Sequence, residues 1–328
     1  IGQTKEQLWK IVNTFNTAKR EGKRPLLQIA LYEYGKDTLP AEGGYIRQIL
    51  PFTEDLDRVS EQLFSLKTRG GDEFCGQVIQ RATQQLAWSK SKEDLKLIFI
   101  AGNEPFTQGP VNYRTAIAAA NEHGITVNTI HCGSEAEGIQ GGWKDGAMLA
   151  HGKFMIIDQN RAVAQVEAPQ DKELARLGTE LNKTYVGYGA AAPAAQARQE
   201  AQDKNAAGLS LGSMTQRAVS KASAHYDNSG WDLVDGAKKG KAKVEALKDD
   251  ELPAEMRGMT VDQRKGYVGA KAKERETLQK RIVELNEERN KFISTEAKKQ
   301  AAANGVDSVD SAMIKAMREQ AEAKSYSF

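Results

Sequence analysis

Two hydrophobic periods alternate along the first two-thirds of the chain. Residues 3–20 (QTKEQLWKIVNTFNTAKR) place Leu8, Ile11, Val12 and Phe15 on one face, the repeat of an amphipathic helix. Residues 26–34 (LLQIALYEY) and 45–52 read as strands, separated by a loop that carries Gly and Pro. Helices follow near 55–66 and 74–87. Residues 95–101 (LKLIFIA) form the continuous apolar run expected of a strand buried on both faces. A helix near 111–122, a strand at 125–131, a helix near 139–150, a strand at 153–158 and a helix at 171–187 complete the series. Strands spaced by helices predict βαβ units, and hence an α/β fold with a doubly wound, mainly parallel sheet.

The pattern changes near Gly187. The stretch GYGAAAPAAQARQEAQDKNAAG reads as a linker leading into helix, followed by helices at 213–225 and 238–249. Pro253 and Gly258 precede a long charged helix over 261–298, whose narrow seam is Leu278, Ile282, Leu285 and Phe292. A last helix over 306–323 carries Val309, Met313, Ile314 and Met317, and a hairpin of these two helices is expected. The seam is shorter than the three to four heptads of a coiled coil. Two regions result: 1–188, and a helical C-terminal region, 189–328. No repeat of fixed period is apparent.

Composition narrows the function classes. The 44 acidic and 46 basic residues nearly cancel, which argues against the one-sided charge of a nucleic-acid binder. No run is long enough to span a bilayer, and no charged region followed by an apolar stretch marks a signal peptide at the start. The four histidines lack metal-ligand spacing, and the two cysteines, Cys75 and Cys132, do not form a Cys-x-x-Cys motif. Both cysteines flank the same predicted strand. A disulfide in an oxidising compartment and a pair of buried thiols are the two readings. His131 and Cys132 adjoin on one strand and point to opposite faces, so they make no catalytic pair. The tryptophans Trp88, Trp143 and Trp231 read as packing residues. The glycine-rich stretches fit neither phosphate-binding pattern.

Four segments, WKIVNTF, TRGGDEFCGQVIQRA, LKLIFIAGNEPF and GITVNTIHCG, resemble in their order bacterial von Willebrand factor type A (vWA) domains, over roughly residues 1–187. The later DKELARLGTELNKTYVGYG resembles exported members, so a periplasmic or secreted location is favoured over the cytoplasm. The resemblance implies a binding face at the carboxyl ends of the strands, around 68–74, 102–109 and 132–143. It also implies a metal-ion-dependent adhesion site built from hard oxygen ligands for Mg²⁺. The family's Asp-x-Ser/Thr-x-Ser motif is expected ahead of Ile1. DSVDS at 307–311 does not qualify, because Val309 stands where a hydroxyl is needed.

In the second loop Asp72 is the candidate ligand, with Thr68 and Glu73 as alternatives. In the third, Gly102 falls where the family has Asp, leaving Asn103 and Glu104 to supply oxygen. Thr68, Glu73 and Phe106 are the expected partner contacts. Each also has a plainer reading: Asp72 as a helix N-cap, Asn103 as a turn residue before Pro105. The expected function is non-enzymatic protein binding, adhesion or scaffolding, with a protein partner. The alternative is a structural subunit that self-assembles through its helical region into a homo-oligomer.

Overall fold

The computed structural model describes residues 9–67, 69–157, 166–304 and 309–328. It is a mixed α/β fold with two small sheets and a long helical C-terminal region. Strands β1 (Ile29–Tyr34) and β2 (Ile46–Thr53) pair antiparallel. Strands β3 (Leu97–Gly102), β4 (Thr126–His131) and β5 (Phe154–Ile156) form a parallel sheet in the order β3-β4-β5. The expected mainly parallel arrangement thus covers three strands, and the first two form a separate antiparallel pair.

Between strands the helices begin where capping side chains allow. Helix α1 (Leu56–Ser65) starts at Asp55, whose carboxylate accepts the Arg58 N–H at 2.9 Å. Helix α2 (Cys75–Gln85) follows, and α3 (Tyr113–Glu122) opens on Asn112, which caps Arg114. The single helix expected near 139–150 is two: α4 (Glu135–Gln140) and α5 (Trp143–Leu149). A left-handed Gly142 at φ 88° separates them, a conformation glycine adopts without steric cost.

Helix α6 (Asp171–Asn182) begins the helical region. The expected linker is largely helix α7 (Ala192–Leu209), with proline in its first turn. Helix α8 (Leu211–Lys221) is capped by Ser210, and α9 (Leu233–Lys238) by Asp232. A helix over 238–249 does not form: α9 ends at Lys238, Gly240 turns left-handed, and short 3-10 turns follow. Helix α10 (Val261–Asn304) runs 44 residues, and α11 (Val309–Glu322) ends the series.

Packing joins the two predicted regions. One cluster gathers Leu50 of β2, Leu56 and Val59 of α1, Leu174 and Leu177 of α6, Val219 of α8, and Ile282 and Leu285 of α10. Ile282 and Leu285 of the long helix's seam are therefore buried within their own chain, with Leu278 packed against them. The hairpin expected of the last two helices gives way to another contact. Met313, Met317 and Ala321 of α11 join Ile130 and Met155 of the parallel sheet. Gln320 exchanges two hydrogen bonds with Asn128 of β4, at 3.1 and 2.8 Å. An apolar helix face beside an uncovered sheet face removes more surface from water than a charged helix can offer. Among the described residues no helix is long and apolar enough to cross a membrane.

Strand β3 departs from its expectation in an instructive way. Its apolar run suggests burial on both faces, yet Leu97, Ile98, Phe99 and Ala101 are only half-buried. The strand is laddered along one edge: the Lys96 and Gly102 carbonyls accept from Thr126 and Cys132 N–H groups of the β4 side. Alternation then turns the peptide groups of Leu97, Phe99 and Ala101 to the other edge, where no named strand pairs with them.

Candidate functional site

The carboxyl ends of β3 and β4 carry the loops that the sequence singles out. Gly102 ends β3, and a Cβ built there would lie 2.2 Å from Glu73 Oε2. The room that an aspartate would take in the family pattern is thus filled by a carboxylate from the preceding loop. Glu73 Oε2 accepts the N–H of Asn103 at 2.9 Å and of Glu104 at 3.2 Å. Burial raises the pKa of Glu73 above the usual carboxylate value, against the lowering effect of those two N–H groups. Glu73 therefore points inward and holds the third loop in place.

Gln108 ties the two loops together. Its Oε1 accepts the Glu73 N–H at 2.8 Å, and its Nε2 donates to Asp72 Oδ1 at 3.2 Å. Asp72 is exposed, and it does not cap α2, whose N-cap is Phe74 without a side-chain hydrogen bond. Asn103 is exposed and Glu104 half-buried, and the Asn103 amide donates to Glu104 Oε1 at 3.3 Å. The structure thus brings Asp72, Glu73, Asn103 and Glu104 onto two linked loops. Thr68 lies outside the described residues.

Phe106 is not the partner contact expected of it. It is fully buried against Trp143 and Tyr113, with ring centroids 4.9 and 5.3 Å away. It anchors the loop from within and offers no surface to a partner, because a large apolar ring next to two aromatic side chains is most stable out of water. The chain matches no protein-family model, no curated protein and no solved structure.

Two residues outside the expected set shape this end of the sheet. Trp143 is fully buried and donates through Nε1 to the Glu104 carbonyl at 2.9 Å, while Thr129 donates to the Trp143 carbonyl at 2.9 Å. Tyr34, at the end of β1, donates its phenolic proton to the Ala101 carbonyl at 2.8 Å. Trp143 thus does more than pack, and no local spacing marks either hydrogen bond. The signal in the sequence is weak: aromatic residues with a polar tip, placed at the predicted ends of elements.

Cys75 is buried 3.7 Å from Tyr34 Oη, and burial pushes the pKa values of both upward, so both stay protonated at neutral pH. No disulfide joins Cys75 and Cys132; both are thiols, Cys75 buried and Cys132 half-buried. His131 is buried with neither ring nitrogen hydrogen-bonded among the described residues, and burial lowers its pKa against the opposing effect of Glu137. Among the described residues, no three His, Cys, Asp or Glu side chains gather as metal ligands.

Proposed function

We propose that this chain is a vWA-type, doubly wound binding domain with a helical region packed onto it, acting without catalysis. Its protein partner would meet the carboxyl-end loops. The observation that carries this reading is the link between the two sheets from Tyr34 to the Ala101 carbonyl. Ala101 turns its carbonyl away from β4 and toward Tyr34 of β1. Adjacent strands lie about 4.8 Å apart, yet β1 and β3 meet here through a full tyrosine side chain instead of a backbone ladder. One further strand between them would merge the two sheets into one. The vWA pattern calls for a central strand at that position, bearing the Asp-x-Ser/Thr-x-Ser loop at its carboxyl end.

On this reading Asp72, Asn103 and Glu104 form the polar part of the recognition face, and Glu73, Gln108 and Trp143 hold it in shape. A magnesium ion belongs to the proposal only with further oxygen ligands, since those described do not complete its shell. Self-assembly through the long helix is the weaker reading, because Ile282 and Leu285 are already spent in the internal core. The test is retention of a partner by the immobilised chain, with and without Mg²⁺. Asp72→Ala and Glu104→Ala should each weaken it by about tenfold, as losing one charged anchor does. Unchanged retention in both variants would overturn the site.

A further inference from the structure

His131 ends β4 beneath the short helix α4. It is 3% exposed, and neither ring nitrogen has a hydrogen-bond partner among the described residues. The chain that follows lies directly on the ring. A Cβ at Gly133 would sit 2.6 Å from Nε2, and one at Gly138 3.0 Å from Cδ2, so neither position leaves room for a side chain. Trp143 of α5 closes another side, with ring centroids 5.6 Å apart. The neighbouring strands bring Gly102 and Ile156 beside His131 in register.

Charge around the ring is sparse. Burial lowers the His131 pKa below the ordinary 6.5, and Glu137 of α4 is the one carboxylate among the described residues that pulls the other way. Glu137 is already engaged. Its Oε2 accepts the Ser134 N–H at 3.0 Å and the Ser134 hydroxyl at 2.7 Å, closing the capping box of α4. On α5, Lys144 is exposed and Asp145 pairs with Arg114. Glu73 meets β3 at Gly102 and is tied to the Asn103 and Glu104 N–H groups.

The cover over the ring is lightly held. Of the six residues of α4 only Gly138 is buried, and Gly133, Gly141 and Gly142 flank the helix. A segment with so few buried contacts opens readily. An imidazolium beneath it would be a buried charge without an acceptor, which is strongly unfavourable. Lifting α4 brings water to it.

We propose that α4 is an acid-triggered lid, which proton uptake by His131 lifts off the end of β4. The movement reaches the carboxyl-end loops, because the Gly141 carbonyl accepts the Phe106 N–H at 2.8 Å and Trp143 Nε1 donates to the Glu104 carbonyl. That acid thereby loosens a partner's seat rests on the reading of those loops as a recognition face; the lid itself does not. The open ring takes its proton near the ordinary 6.5 and the covered ring only at lower pH. Closure is therefore favoured above that value and weakens as pH falls below it.

Amide hydrogen exchange of the whole chain, corrected for the intrinsic effect of pH, tests the lid without any partner. From about pH 7.5 to about pH 5.5, protection over 134–141 should fall about fivefold. His131→Phe and His131→Gln, which gain no charge in acid, should each hold it level. Both should keep the wild-type response elsewhere, including at buried His225, which bonds to the Phe15 carbonyl. By NMR the wild-type His131 ring should titrate below 6.5. Unchanged wild-type protection over 134–141, a fall retained by either variant, or a ring that titrates at 6.5 or above would each overturn the proposal.

Discussion

The carboxyl end of the sheet and the helical region both concentrate charged side chains, and they treat them in opposite ways. At the sheet end, Asp72 and Asn103 stay in water and Glu104 half so, held by neutral donors such as the Gln108 amide. In the helical region several charges are driven inside and paired. Arg275 spends all five of its N–H donors: on the Thr184 hydroxyl and carbonyl, twice on Asp232, and once on Asp235. Its guanidinium also lies 4.2 Å over the Tyr185 ring. Arg289 pairs through Nε with buried Asp171. Fully partnered buried ions fix which helices meet, at little net gain in stability. Exposed carboxylates cost little to keep, and they remain available to something else.

The largest effect should come from breaking one of the buried pairs. Arg275→Ala leaves Asp232 buried without its cation, and a denaturant titration should show a loss of about 3–5 kcal/mol. A loss under about 1 kcal/mol would mean that the ion pairs are ornamental and the contrast between the two regions false. A pH titration sharpens the same contrast. Burial lowers Lys221 from 10.5 to about 8, against the pull of Asp203. Between those two values the unfolded chain holds the extra proton, so stability should climb as pH rises through that window. Lys221→Met should flatten the climb; a slope that survives the substitution assigns it to another group. At the small end, Asp72→Ala should leave the melting midpoint where it is, because its side chain is exposed and makes one hydrogen bond. A clear drop would place Asp72 among the structural charges and erase the distinction.

Legibility in the sequence follows the range of the interaction. Strands β1 to β4 and helices α1 to α3 lie within a few residues of their predicted bounds, since period and capping residue are local signals. That Asp72, Glu73, Asn103 and Glu104 lie on loops at the ends of elements is legible because those loops follow readable elements. Phe106 misleads for the converse reason. One aromatic residue in a loop reads alike whether it faces water or, as here, Trp143 from more than thirty positions away. Tyr34, Gln108 and the arginines of the helical region escape a sequence reading because their partners lie dozens of residues off.

Hydrophobic period alone determined that the chain has strands alternating with helices, then a long charged helix with a narrow apolar seam. Which surfaces those elements would share was decided only in three dimensions. The seam went into a core shared with β2 and α1, α11 went to the parallel sheet instead of its neighbouring helix, and Glu73 went into the space that Gly102 leaves. Each choice is a competition among distant surfaces for burial and for hydrogen-bond partners. A local pattern records which residues seek cover, and the assembled fold settles where each finds it.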